Sequence, residues 1–260
     1  MIKLTYKRVV LCSVDSISKQ VAINKILSWA ASHKSTYIVF ANAHVIVSAC
    51  QNHNYLNVVN SANLVLPDGA PVAWMIRRLG NNYQSRLSGP DLMIDLCSHC
   101  QTNGISIYLY GSTEKNLTNL KTYLIRKYPH LLIAGAESPP FRPLSDQELI
   151  DTAYRINSSG AGVVFVGLGC PKQEFWMSRQ KMAINAVMLG VGAAFDFYSG
   201  ASARAPVCMR NNGLEWFFRL YSEPRRLWKR YLVTNSLFLI LAMKQFCEEY
   251  TKLLFKLKSR

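Results

Sequence analysis

The sequence predicts an α/β fold, a mostly parallel sheet flanked by helices, with a basic and aromatic helical appendage at the C-terminus. Three observations carry this. Short apolar runs alternate with longer helical patterns, the rhythm of βαβ units. Turn residues with polar or charged groups gather in Asn63-Leu-Val-Leu-Pro-Asp-Gly69, Arg86-Leu-Ser-Gly-Pro-Asp-Leu92 and Val166-Gly-Leu-Gly-Cys-Pro-Lys-Gln-Glu174, as at the ligand-collecting edge of an open sheet. After Gly200 the composition changes, because aromatic and basic residues interleave.

Strands are expected over residues 37–40, 64–66, 105–110, 131–134, 162–166 and 186–189, each short, apolar and rich in β-branched or aromatic side chains. Between the second and third, Asp68 is placed to cap a helix with Pro71 in its first turn. Its apolar positions Val72, Met75, Ile76 and Leu79 recur at helical spacing before Gly80 stops it. Residues 138–143 read as a Pro-rich loop, and 144–156 as a helix capped by Ser145. The core is thus a Rossmann-like unit over residues 1–200, and residues 201–260 form the appendage.

A chain of 260 residues, 50% apolar, buries a full core and excludes wholesale disorder. The formal charge of +15 calls for an anionic partner without naming it. Residues 201–260 hold 12 Lys/Arg against 4 Asp/Glu, so the appendage carries a disproportionate share. The seven cysteines are scattered through apolar stretches, and Val9 to Cys12 is too short for a secretory signal, which fits a reduced cytoplasmic setting. Cys97-Ser-His-Cys100 has the spacing of half a metal site but no second pair, so these read as helix-core cysteines and no metal site is expected. The longest uncharged run of the tail, residues 231–243, is broken by Thr234, Asn235 and Ser236 and falls short of the roughly 20 apolar residues a spanning helix needs.

Gly167-Leu-Gly169 follows a buried-type strand, so backbone N–H groups there suit a phosphate or a sugar hydroxyl, or else make a tight strand-to-helix turn. Lys172 stands where a dinucleotide fingerprint needs its third glycine, and Gly190-Val-Gly192 fails the same test at Phe195, so no nicotinamide cofactor is expected. Lys172 and Gln173 open the next helix, either facing the ligand edge or solvated. Asp68 has two readings, general base beside a cleft or helix cap, and Asp91 shares the ambiguity. His44, beside Asn42, is a weaker candidate. With no Asp-x-Asp pair, the charge of a leaving diphosphate falls to arginine, lysine or backbone N–H groups; Arg86, Arg204, Arg210, Arg225, Arg226 and Arg230 are available.

These motifs, in this order, resemble the WecG/TagA/CpsF glycosyltransferases of bacterial surface polysaccharide synthesis. The likeness rests on Asn42, Pro67-Asp68-Gly69, Arg86 with Ser88-Gly-Pro-Asp-Leu92, Gly167-Leu-Gly169 with Pro171-Lys-Gln-Glu174, Gly190-Val-Gly192 with Phe195-Asp196, Gly200, Arg204-Ala-Pro206, Gly213-Leu-Glu-Trp216 and Glu223-Pro-Arg-Arg226. It implies an inverting, metal-independent transfer from a UDP-sugar, N-acetylmannosamine or its uronic acid. The implied acceptor is a polyprenyl-diphosphate-linked sugar, usually N-acetylglucosamine, at the cytoplasmic membrane face. Asp68 falls at the family's general-base position, and Asn42, Arg86 and Gln173 at positions tied to donor or acceptor. Gly167, Gly169, Lys172, Gly192, Asp196, Arg204, Arg225 and Arg226 complete the expected substrate-binding set. Many members have threonine where this chain has Phe40, which opens the sugar choice; some relatives are assigned to glucose or glucuronic acid.

Trp228, Tyr231, Leu232 and Phe238, interleaved with Arg225, Arg226, Lys229 and Arg230, suit an interfacial helix that holds anionic lipid and closes over the diphosphate. A helix docked on the core, or a homo-oligomer interface, is the alternative. Two other function classes stand beside the enzyme: a basic nucleic-acid-binding protein, disfavoured because no nucleic-acid motif is present, and a noncatalytic membrane adaptor.

Overall fold

The computed structural model describes residues 5–258, so residues 1–4 and 259–260 of the two expected units lie outside the described residues. The chain opens with an antiparallel hairpin, β1 (Thr5–Val9) and β2 (Cys12–Ser16). The sequence reading took part of this segment as a plain apolar run. Its turn places Val10 at φ 57°, an unfavourable conformation for a β-branched residue and therefore without a turn signature in the sequence. After α1 (Lys19–Ala31) come β3 (Thr36–Ala41), α2 (Ala43–Gln51), α3 (His53–Asn60), β4 (Leu64–Pro67) and α4 (Ala70–Arg78). The middle of the chain supplies α5 (Gly89–Asn103), β5 (Ile107–Gly111), α6 (Glu114–Lys127), β6 (Ile133–Glu137) and α7 (Asp146–Ser158). Then follow β7 (Val163–Gly167), α8 (Lys172–Gln180), β8 (Val187–Gly190) and the short α9 (Ala194–Tyr198). The appendage is built from α10 (Val207–Asn211), α11 (Glu215–Ser222) and α12 (Pro224–Lys258).

All six strands expected from the sequence form one parallel sheet in the order β4-β3-β8-β7-β5-β6. Alternation of period two splits its side chains between two cores. Tyr37, Val39, Val164 and Val166 face α2, α3, α4, α7, α8 and part of α12. Ile38, Phe40, Val163 and Phe165 face α1, α5, α6 and α9. Both faces are covered, as parallel sheets require. The fold is Rossmann-like, with the hairpin against edge strand β4, where the Asp15 carboxylate accepts the Val65 N–H at 2.8 Å.

Helix starts follow local chemistry. Ser145 caps α7 in a reciprocal capping box with Glu148, as expected, and Ser88 caps α5. Cys97 and Cys100 are buried in the core face of α5, where burial pushes both thiols up. The expected Asp68 cap is not made: α4 begins after Gly69 at φ 85°, with no side-chain cap. Pro71 already removes one of the N–H groups such a cap serves.

Helix α12 docks against α2 and the hairpin. Phe238 is only 2% exposed in the core, and Gln245 both accepts from Val10 N–H and donates to Arg8 O, each at 2.7 Å. Phe238 therefore belongs to the docked face, not to the free face expected of an interfacial helix. Trp228, Leu232, Leu239 and Met243, on a separate stripe, are exposed. No helix among the described residues is long and apolar enough to cross a membrane.

Candidate active site

The carboxyl ends of β3, β4, β7 and β8 open into one cleft of about 620 Å3, walled on the far side by α11 and α12. This is the edge at which open α/β sheets collect ligands. Asn42, Asp68, Arg86, Gly167, Gly169, Gln173, Gly192, Asp196 and Arg226, nine of the expected site residues, line it.

Asp68 continues the β3–β4 ladder by donating its backbone N–H to Ala41 O at 3.0 Å, and its half-buried carboxyl turns into the cleft. Burial pushes this carboxyl up to about 6, helped by the neighbouring Glu215 charge and opposed by Arg86 and a hydrogen bond from Asn42. Asn42 serves both neighbours. Its Oδ1 accepts the Val45 N–H at 3.1 Å and caps α2, which leaves its NH2 to donate to Asp68.

A knot of charge ties this edge to the appendage. Arg86 Nη1 donates to Glu215 Oε2 at 2.7 Å, and its Nη2 lies 3.4 Å from Asp91 Oδ2. Asp91 Oδ1 accepts from Arg204 at 2.7 Å and from Arg210 at 3.0 Å. Burial pushes the Asp91 carboxyl up, but the Ser88 hydroxyl and Arg204 outweigh it and hold the group below the usual carboxylate range. Arg204 also donates to Tyr198 OH at 2.8 Å. Arg204, expected among the substrate-binding residues, joins the appendage to α5 and does not line the cleft.

The glycines divide by role. A Cβ on Gly167 would stand 2.6 Å from the Phe195 ring, and one on Gly111 2.6 Å from the Gly167 carbonyl carbon, so packing holds both positions to glycine. Gly169 at φ 78° has open space around it and accepts the Gln173 N–H at 2.9 Å. Gly192 donates its N–H to Val166 O at 3.2 Å. Behind them Gln173 and Glu174 are buried, whereas Lys172 projects to solvent outside the cleft. Asp196 lies on the cleft wall within 3.4 Å of Asn116 Nδ2, and burial raises its carboxyl.

On the appendage side the structure brings Arg226, but not Arg225, of the expected pair to the cleft. Arg219, Arg226 and Arg230 line the cleft, and Arg225 is exposed on another face. Position settles this: 226 and 230 lie one turn apart on one face of α12, and 225 and 229 on its neighbour. Buried Leu227 was the available signal for which side of that turn is docked. The Nε atoms of Arg219 and Arg230 are buried without a protein acceptor, and burial lowers Arg230. His44 also lines the cleft; burial and the Arg230 charge push it down to about 4, so it is neutral at pH 7. Phe40 occupies the same wall.

The glycosyl transferase WecG/TagA/CpsF family model matches residues 8–252. An N-acetylglucosaminyldiphosphoundecaprenol N-acetyl-beta-D-mannosaminyltransferase of Bacillus subtilis (strain 168) is 34% identical over 192 residues, 74% of this chain and 73% of that protein. Proteins of the same name from Bacillus spizizenii and Staphylococcus aureus (strain MW2) are 33% and 30% identical over 77% and 76% of this chain, and 76% and 75% of their own lengths. With its parallel sheet, its carboxyl-edge cleft and a match over nearly its whole length, the chain belongs to the WecG/TagA/CpsF family of glycosyltransferases.

Proposed function

We propose that the chain moves N-acetylmannosamine, or its uronic acid, from a UDP-sugar to N-acetylglucosaminyl-diphosphoundecaprenol in one inverting, metal-independent displacement. The acceptor and the transferred sugar follow the reaction named for the relatives. The observation that carries the chemistry is the Asp68 carboxyl, free of helix capping, facing the cleft and pushed up to about 6. At pH 7 it is mostly ionised yet basic enough to take a proton.

In this reading Asp68 removes the proton of the acceptor hydroxyl as that oxygen attacks the anomeric carbon. The bond from that carbon to the diphosphate oxygen breaks, and its electron pair leaves with UDP. Asn42 orients the base. Arg219, Arg226 and Arg230 offset the charge that grows on the diphosphate, a role their place in the cleft lining supports. Arg86 holds Glu215 and borders the reacting groups.

Residues 1–200 act as the catalytic core and 201–260 as a membrane-associating appendage on the cytoplasmic face. Trp228, Leu232, Leu239 and Met243 recur at intervals of four and seven residues along α12 and stay exposed, with Arg225 and Lys229 beside them. Such a stripe suits an anionic lipid surface from which a polyprenyl acceptor is presented.

The test is UDP release from a panel of UDP-sugars with the polyprenyl-diphosphate-N-acetylglucosamine acceptor, in chelator, for wild type and Asp68→Asn. Acceptor-dependent release from the N-acetylmannosamine donor that the substitution abolishes is expected. Release that needs a divalent ion, or that survives Asp68→Asn, contradicts the mechanism.

A further inference from the structure

Gln173 is 5% exposed, and its amide nitrogen stands 2.8 Å from Gly190 O and 2.8 Å from Glu174 Oε1. A backbone carbonyl only accepts, so the atom facing Gly190 O is the NH2 nitrogen, and the orientation of the amide follows from chemistry. Both of its hydrogens are then engaged. The other end, Oε1, is buried without a protein partner and lies 3.4 Å from where a Cβ would stand on Gly192, in the cleft wall.

Glu174 is 1% exposed, beneath Gln173 and beside Tyr55 and Cys170. Space around the pair is closed: a Cβ on Gly190 would meet Met177 Cε at 2.8 Å and Gln173 Nε2 at 3.0 Å. Turning the amide over would set Oε1 against two acceptors, the Gly190 carbonyl and the Glu174 carboxylate.

We infer that Glu174 and the Gly190 carbonyl lock the Gln173 amide so that it shows the cleft only an acceptor, and that the substrate group seated there is an N–H or O–H donor. Glu174 is thus a positioning residue and Gln173 a specificity residue. The inference rests on the reading of this cleft as a UDP-sugar site. Three donors have the right chemistry: the uracil imide N–H, the ribose 2′-hydroxyl and the acetamido N–H of the sugar.

The experiment is calorimetric titration of the full chain with UDP, 3-methyl-UDP, 2′-deoxy-UDP, UDP-N-acetylmannosamine and its N-methylacetamido analogue. Wild type, Gln173→Leu, Glu174→Leu and Glu174→Gln are compared, with unfolding midpoints measured on each. In wild type, one analogue lacking a donor binds about tenfold or more weaker than its parent, the scale of one lost buried hydrogen bond. That difference disappears in Gln173→Leu, shrinks in Glu174→Leu and survives in Glu174→Gln, whose oxygen still accepts from Gln173. Unequal discrimination in two Glu174 variants of equal stability separates positioning from a merely structural role. Equal affinities for all pairs in wild type, or a difference that Gln173→Leu leaves intact, overturn the inference. Failure of wild type to bind either UDP or UDP-N-acetylmannosamine overturns the underlying site reading as well.

Discussion

The Arg86 guanidinium and the Glu215 carboxylate lie 2.7 Å apart and join the segment after β4 to the first turn of α11. Glu215 brings a negative charge toward Asp68, and Arg86 a positive one, so the appendage takes part in setting the basicity of the Asp68 carboxyl.

The sign of that coupling is testable. Glu215 raises the Asp68 carboxyl, so Glu215→Gln lets it fall and moves the acid limb of kcat/KM to lower pH. A pH–rate profile of the variant checks this; an unmoved or higher acid limb contradicts it.

Arg219 and Arg230 differ from Arg225 in what they face. Replacing either cleft arginine with glutamine is expected to weaken UDP binding about 10- to 100-fold, the range for a charge-assisted hydrogen bond. Arg225→Gln and Lys172→Gln leave UDP binding nearly unchanged. Titration of UDP into the four variants decides the matter, and equal losses throughout contradict the assignment.

The two faces of α12 separate stability from membrane binding. Phe238→Ala empties a core site and costs about 3–5 kcal/mol in urea unfolding. Leu239→Glu, at an exposed position, changes stability by only about 0.5 kcal/mol but reduces cosedimentation with anionic vesicles. Vesicle binding indifferent to Leu239→Glu and Leu232→Glu together counts against the lipid-facing stripe.

Gly167→Ala drives a methyl group into the Phe195 ring, an overpacking expected to cost about 1–3 kcal/mol. Gly169→Ala meets no neighbour, and its smaller penalty comes from φ 78° alone. Denaturant midpoints of the two variants should rank in that order.

The sheet was legible because its strands, the half-buried edge strand β6 apart, are buried on both faces and punctuated by turn residues: all six of the expected segments pair. The hairpin was not, because its two strands alternate without a glycine turn and Val10 takes the left-handed conformation itself. Asp68 was correctly placed at the strand end, but its choice between cap and cleft depended on the path of residues 69–71, which only the folded backbone fixes. The pairing of Arg204 with Asp91 was hidden, because the two lie 113 residues apart in sequence. The Gln173 lock was equally hidden, since it needs Gly190 O from another strand.

The central claim is that Asp68 is the base. Its most direct test is the pH dependence of kcat/KM for sugar transfer, measured for wild type and Asp68→Asn with the folded state of each checked by circular dichroism. The account predicts an acid limb near pH 6 in wild type, where the Asp68 carboxyl ionises, and near-total loss of turnover in the variant with UDP binding retained. A folded Asp68→Asn protein that keeps wild-type turnover and the same acid limb would contradict it.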